Sequence, residues 1–205
     1  SDSYGVYKMD LKAGQKTEVF EYDQADAITY SKNCRNQYYV LTKDKLLRIT
    51  TEYTNVFDGS AVTASLLSRE AVNPNAGKEI IILGGIGLTG NSAISKAVCD
   101  FNRESTGYMI KIRDYDREAD YSSASTADEY DRIQSDRIQA MNLDILNGTG
   151  PDIVYGIYEN TSSLESQGFF VDLNTLMEKD SGFKKDDYLS GIMKLCETDG
   201  KLCKV

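Results

Sequence analysis

Between Glu79 and Asp114 the chain reads EIIILGGIGLTGNSAISKAVCDFNRESTGYMIKIRD, and this stretch restricts the fold more than any other. It opens on a short apolar run, Glu79 to Leu83, rich in β-branched Ile and too brief for a helix, which predicts a buried strand. A glycine-dense turn, Gly84 to Gly90, follows. Asn91-Ser92 then reads as a helix start, with Ile94, Ala97, Val98 and Phe101 at the i, i+3, i+4, i+7 spacing of one apolar face. Gly107 ends the helical region, and Tyr108 to Arg113 reads as a second strand. Strand, crossover helix and strand make a βαβ unit with parallel strands and a right-handed crossover. Ligands of such sheets sit beyond the carboxyl ends of the strands, so the turn at 84–90 is the first place to look for function.

Gly85, Gly87 and Gly90 spell G-x-G-x-x-G between strand and helix, the pattern of a dinucleotide-binding turn. The acid that should hold the ribose is expected about 20 residues on, whereas Asp114 stands nearly thirty residues after Gly85. A P-loop is excluded, because Asn91 occupies the place of the phosphate-reaching Lys. The alternative is that these glycines let the backbone approach another group closely, or simply make the turn.

With 205 residues, 40% of them hydrophobic, the chain can bury one good core or one and a half domains. Its formal charge of −9 argues against a nucleic-acid partner, since phosphate binding needs clustered Lys and Arg. No apolar run approaches a membrane span, and no signal peptide is present. The chain starts at Ser1-Asp2 without Met and stops just after Asp199-Gly200-Lys201-Leu202, a turn entering a strand, so it reads as a piece of something longer. Histidine is absent, which removes Ser-His-Asp, Cys-His and His-bearing zinc sites from this chain. The four cysteines, Cys34, Cys99, Cys196 and Cys203, form no C-x-x-C pair and read as structural filler, with no metal site. A Cys196–Cys203 bridge is sterically conceivable, but nothing in the sequence supports it.

Residues 1 to about 57 have a different texture. Tyr4 to Leu11 and Lys16 to Tyr22 alternate around Ala13-Gly14, a hairpin signature. Ala27 to Tyr30, Gln37 to Thr42 and Leu46 to Thr51 continue it, and four or five such strands suit about one propeller blade or a small antiparallel sheet. Asp58 to Lys78, with Asp-Gly, Asn-Pro-Asn and Ala-Gly, reads as a link holding at most one strand near Ala61–Leu67, with a domain boundary near Asn73–Gly77. Beyond the βαβ unit, Asp114 to Ala124 is an acidic, tyrosine-bearing loop, either solvated or able to bind a cation or sugar hydroxyls. Thr126-Ala127-Asp128-Glu129 is a capping box opening a long helix, which buries Ile138, Met141, Ile145 and Leu146 and closes at Asn147-Gly148. Pro151-Asp152 leads into a buried strand, Ile153 to Gly156. Ser162 to Glu165 reads as another capping box, Gly168 ends that short helix, and Phe169 to Leu173 forms an apolar edge. Leu189, Ile192, Met193 and Cys196 mark one more helix before the terminal turn.

The order of these pieces resembles the amino-terminal lobe of extracellular solute-binding proteins of ABC importers, especially the carbohydrate-binding group. The resemblance rests on EIIILGGIG, AVCDFNRES and IKIRDY, then DILNGTGPDIVYG, SLESQGFFVDLNTLMEKD and ETDGKL, and covers about Lys78 to Val205. The strands before it resemble the last part of a β-propeller-like region, a pairing found in some large bacterial surface lipoproteins. The fold this implies is α/β: a periplasmic-binding-protein-like lobe with a mostly parallel sheet at 76–205, preceded by a small antiparallel β region at 1–75. The function it implies is non-enzymatic capture of a small solute, a saccharide, for an ABC permease, without a cofactor, by a lipid-anchored protein at the cell surface. By position, the cleft residues would be Gly85, Ile86, Gly87, Leu88, Tyr155, Ile157, Tyr158 and Glu159, with Asp116 in addition. Backbone amides around Gly85 and Gly87, with the helix start at Asn91, could meet ligand oxygens, and Tyr158 could stack on a sugar face.

The chain departs from that family in lacking a second lobe, in Cys203 after Asp-Gly-Lys-Leu where an aromatic or similar residue is usual, and in having no Trp. Two other functions fit the same residues: a nucleotide-dependent enzyme using Gly85, Gly87 and Gly90, and an interaction module without solute binding. An exposed sheet edge in the amino-terminal strands would favour a homodimer.

Overall fold

Asp10 and Gly14 turn the first two strands back on each other. The Asp10 carboxylate accepts from the amides of Lys12 and Ala13 at 2.9 and 3.1 Å, and Gly14 takes a φ of 65°. The strands so joined, β1 (Gly5–Asp10) and β2 (Gln15–Glu21), pair antiparallel as expected. The structure is a computed structural model that describes residues 5–22, 34–53, 60–117, 119, 121, 124–156, 161–180, 182 and 190–204. It divides into two compact units, 1–156 and 157–205. The strand expected at Ala27–Tyr30 lies outside the described residues.

A meander follows, β3 (Cys34–Thr42), β4 (Lys45–Tyr53) and β5 (Ser60–Ser68), paired in that order. The strand allowed for near Ala61–Leu67 within the link at 58–78 is present and runs for nine residues. Alternation explains it: Val62, Ala64 and Leu66 stand opposite Thr51, Ile49 and Leu47 of β4, continuing one face of the sheet. Val6 and Tyr22 are buried against Phe20 and Tyr38, and the Tyr38 hydroxyl donates to that of Tyr22 at 2.7 Å.

After a turn at 74–77 the chain enters a three-stranded parallel sheet, β6 (Glu79–Gly85), β7 (Tyr108–Asp114) and β8 (Ile153–Tyr155), in the order β7-β6-β8. The fold is therefore mixed α/β, with small antiparallel sheets and one parallel sheet. Helix α1 (Ser92–Glu104) connects β6 to β7 and packs Ile94 and Val98 over Leu83, Ile110 and Ile112. Helix α2 (Ala127–Leu146) connects β7 to β8. Arg113 of β7 donates to the Thr149 carbonyl at 2.7 Å and stands 3.7 Å from Asp144 of α2.

The buried face of α1 differs from the expected one. Ser95, Val98, Cys99 and Asn102 are buried, while Ala97 and Phe101 are exposed. Asn102 is responsible: its amide donates to the Ile110 carbonyl at 3.0 Å and accepts from the Ile110 amide at 2.6 Å, both on the free edge of β7. One side chain thus completes a ladder position that no neighbouring strand supplies among the described residues, and holds the helix rotated toward the sheet edge. The Lys78 ammonium seals the other end of this junction, donating to Asn75 Oδ1 at 2.7 Å and to the Asn102 carbonyl at 2.6 Å in the last turn of α1.

Helix α2 opens with the expected capping box and closes with Gly148 at φ 72°, whose amide donates to Ile145 while that of Thr149 reaches Asp144. Met141 is buried and Ile138 and Ile145 are half-buried, but Leu146 is exposed. Gly84 is held to glycine by packing, because a Cβ there would lie 2.5 Å from the Pro151 ring.

In the second unit, α3 (Thr161–Ser166) starts one residue before Ser162, so Ser162 lies inside the first turn and not at its cap. Gly168 ends it with the same pair of bonds as α2, to Glu165 and from Phe169 to Leu164. Phe169 and Val171 of the expected apolar edge are exposed. Helix α4 (Leu173–Met177) is capped by Asp172, and α5 (Ser190–Leu195) leads into the terminal hairpin, β9 (Glu197–Thr198) and β10 (Lys201–Leu202). Asp199 and Gly200, at φ 52° and 77°, make the two-residue turn between them.

Candidate functional site

The strand order β7-β6-β8 determines where a ligand could bind. From β6 the chain crosses to β7 on one side, and from β7 it crosses back past β6 to β8 on the other. Connections leaving in opposite directions open a crevice outside the carboxyl ends of the strands, at the reversal point. Here that point lies between β6 and β8, and the register sets Gly85 directly beside Tyr155 and, on the other side, beside Asp114. The predicted positions Gly85 and Tyr155 thus end adjacent parallel strands at one edge of the sheet. Tyr155 is 50% exposed, as a wall residue would be.

The glycine turn is built differently from an anion cradle. The buried Asp114 carboxylate receives the Gly87 amide at 2.9 Å, the Thr89 amide at 2.8 Å, the Thr89 hydroxyl at 2.6 Å and the Asp116 amide at 3.0 Å. Asn91 caps α1 itself, accepting from the amides of Ala93 and Ile94 at 3.1 and 3.2 Å. The amides expected to meet ligand oxygens at Gly87 and the start of α1 are therefore committed within the protein. Both Asp114 oxygens are likewise occupied, so this acid has no free lone pairs facing a ribose. Gly87 still needs its residue type, since it takes a φ of 69°, a backbone conformation that L side chains rarely adopt.

Among the other sequence candidates, Ile86 is half-buried and Gly87 exposed in the turn after β6, on the side of Asp114. Leu88 is a correction: at 1% exposure it packs into the cluster of Leu83 and Val98 under α1. It starts a short 3₁₀ turn, Leu88–Gly90, that folds its side chain inward. Ile157, Tyr158 and Glu159 lie outside the described residues.

Asp116 follows β7 at the same edge and is half-buried. It accepts from the Tyr121 hydroxyl at 2.6 Å, and the Tyr121 ring lies 4.7 Å from that of Tyr130, near the start of α2, the two planes tilted by 32°. Burial, then the bond to Asp116 and its charge, push the Tyr121 hydroxyl well above the ordinary tyrosine range, so it stays a donor. In α2, the Arg137 Nε is buried with no hydrogen-bond partner among the described residues. Tyr121 and Tyr130 were missed as functional candidates. The signal available was the acidic, tyrosine-bearing loop running into a capped helix whose fourth residue is Tyr130.

The arrangement offers a carboxylate, a phenol and paired aromatic rings after the end of β7 and a half-exposed Tyr155 at the end of β8, groups able to contact hydroxyl-bearing molecules. In comparisons with protein-family models, with curated proteins and with solved structures, none matches this chain.

Proposed function

We propose that the chain is part of an extracellular solute-binding protein, a periplasmic-binding-protein-like lobe that captures a small solute, a carbohydrate, for ABC-type import. The observation that supports this reading best is the convergence of Gly85, Asp114 and Tyr155 at one edge of the parallel sheet, with the reversal point of the strand order between Gly85 and Tyr155. In this reading, Tyr155 and the Tyr121–Tyr130 pair supply flat apolar faces for pyranose rings. Asp116 accepts from sugar hydroxyls while Tyr121 keeps it oriented. The protein acts as a binder at the cell surface, without catalysis or cofactor. The nucleotide-enzyme reading has the weaker support, because Asp114 spends its carboxylate on the turn and no His is present for proton transfer.

Thermal unfolding in the presence of mono- and oligosaccharides, nucleotides and NAD(H) tests the proposal. A saccharide present at about 100 times its Kd should stabilise the native state by about 2.7 kcal/mol, raising Tm by about 5–10 °C. Asp116→Ala should unfold like the parent without sugar and lose that rise. A rise with NAD(H) and none with any saccharide would overturn the reading.

A further inference from the structure

We propose that Asn147 is a site of spontaneous deamidation, held unreactive by the closing turn of α2 and released when that turn opens. This inference is independent of what the chain binds. Asn147-Gly148 is the only Asn-Gly pair in the sequence. The chemistry favours that pair, because the attacking group is the amide nitrogen of the following residue and a glycine puts no Cβ in its way. Both residues are exposed at the end of α2, and even a Cβ added at Gly148 would meet no atom within 4 Å. Within the cap, geometry blocks the attack. Asn147 takes φ −85° and ψ −2°, which turns the Gly148 nitrogen away from the Asn147 Cβ, whereas closing the imide needs the two eclipsed. The Gly148 amide is also committed, donating to the Ile145 carbonyl at 3.1 Å.

When the turn opens, the Gly148 nitrogen bonds to Asn147 Cγ, the bond from Cγ to the side-chain nitrogen breaks, and ammonia leaves with the Gly148 amide proton. Water then opens the cyclic imide at either carbonyl, giving aspartate or an isoaspartate whose main chain runs through the former side chain. The balance is water in and ammonia out, with no change of oxidation state. The segment affected straps α2 to the sheet. The Thr149 amide donates to the Asp144 carbonyl at 2.9 Å, and the Thr149 carbonyl accepts from Arg113 of β7 at 2.7 Å. Gly150 lies against the Ile145 backbone and Pro151 against Gly84. The Asp152 carboxylate then accepts from the Ile82 amide at 2.8 Å, immediately before β8. An extra main-chain carbon at position 147 puts this strap out of step. Either product also sets a negative charge at the carboxyl end of a helix, one turn from Asp144, where the helix dipole opposes it.

The test incubates the full chain at mildly alkaline pH, folded and in guanidinium chloride, and digests samples with trypsin over time. Fragmentation of the tryptic peptides, Ile138–Lys179 among them, locates each asparagine amide replaced by acid. In the denaturant Asn147 should convert before every other asparagine, and in the folded chain it should convert at least about tenfold more slowly. Arg113→Ala, which frees the Thr149 carbonyl, should raise the folded rate about fivefold and leave the denatured rate unchanged. The aged parent should melt about 3 °C below fresh protein, a drift that Asn147→Gln, whose longer side chain cyclises far more slowly, does not show. Asn147 intact in the denaturant while another asparagine converts, or a drift that persists in Asn147→Gln, would overturn the site. Equal rates in the folded and denatured chain, or a folded rate untouched by Arg113→Ala, would overturn its control by the turn.

Discussion

Asp114 is the residue on which the geometry of the sheet edge depends. Its carboxylate takes two backbone amides and one hydroxyl from a turn that lies more than twenty residues earlier in the chain, and the amide of Asp116 two residues later. Removing it strands those donors in a buried place, which is more destructive than losing the same bonds in water. Asp114→Ala should lower stability by about 3 kcal/mol, seen as a fall in the urea midpoint at unchanged slope. Asp114→Asn, which keeps one acceptor oxygen, should fall between that variant and the parent; equal midpoints for all three proteins would show that the turn holds itself. The sequence supplied only part of this. The interval from Gly85 to Asp114 argued against a ribose contact, and the occupied carboxylate agrees. What the acid does instead depends on β6 and β7 ending in register, a relation that no local spacing expresses. Leu88 failed for a related reason: the turn it sits in was visible, but the 3₁₀ geometry that buries its side chain was not.

Helix ends were the most legible elements, because their signals are short-range chemistry. Asn91, Thr126, Gly148 and Gly168 all act as their residue types suggested. The capping box of α2 carries a pH-dependent contribution whose sign follows from Glu129. Its carboxylate accepts from the amides of Ser125 and Thr126 at 2.7 and 3.1 Å, and these bonds, Ser125 first, hold it below the ordinary value of 4.5. A carboxyl with a lowered folded-state pKa favours folding fully above its unfolded value, and the benefit disappears as pH falls through the folded one. Glu129→Gln should therefore melt below the parent at pH 7, with the gap closing toward pH 3. A gap that does not change with pH would mean the charge contributes nothing. Helix faces were less legible than helix ends. The apolar spacing in α1 pointed at Phe101, but Asn102 pairs with the open edge of β7 and turns the helix to suit. A buried polar side chain leaves no mark in a hydrophobic pattern.

For the whole chain, the parallel βαβ unit could be read in advance, whereas the order β7-β6-β8 could not. Which side of β6 each later strand takes is decided by pairing across the sheet, and the apolar runs of β7 and β8 carry no mark of it. The meander was half legible: the apolar run at Ala61–Leu67 allowed a strand, but the Asp-Gly and Asn-Pro signals around it read as a link and hid that β5 extends the sheet beside β4. That strand leads to the last expectation. Among the described residues nothing pairs with the outer edge of β5, and its nine residues, SAVTASLLS, include no charge and no proline to guard it. Val62 is 65% exposed on it, and Leu66, Tyr39 and Tyr53 are exposed on the same face. An unguarded, apolar edge strand is a template for a second copy, so we propose that the chain dimerises by antiparallel pairing of β5 with its counterpart. Light scattering across a concentration series should show mass rising toward twice that of the monomer, and Val62→Lys should shift the midpoint at least tenfold higher in concentration, about 1.4 kcal/mol of association free energy. Because Val62 is exposed in the single chain, the Tm of the dilute protein should stay within a degree or two of the parent. Monomer mass at every concentration would remove the edge as an interface, and unchanged dimerisation in Val62→Lys would place the contact elsewhere on the surface.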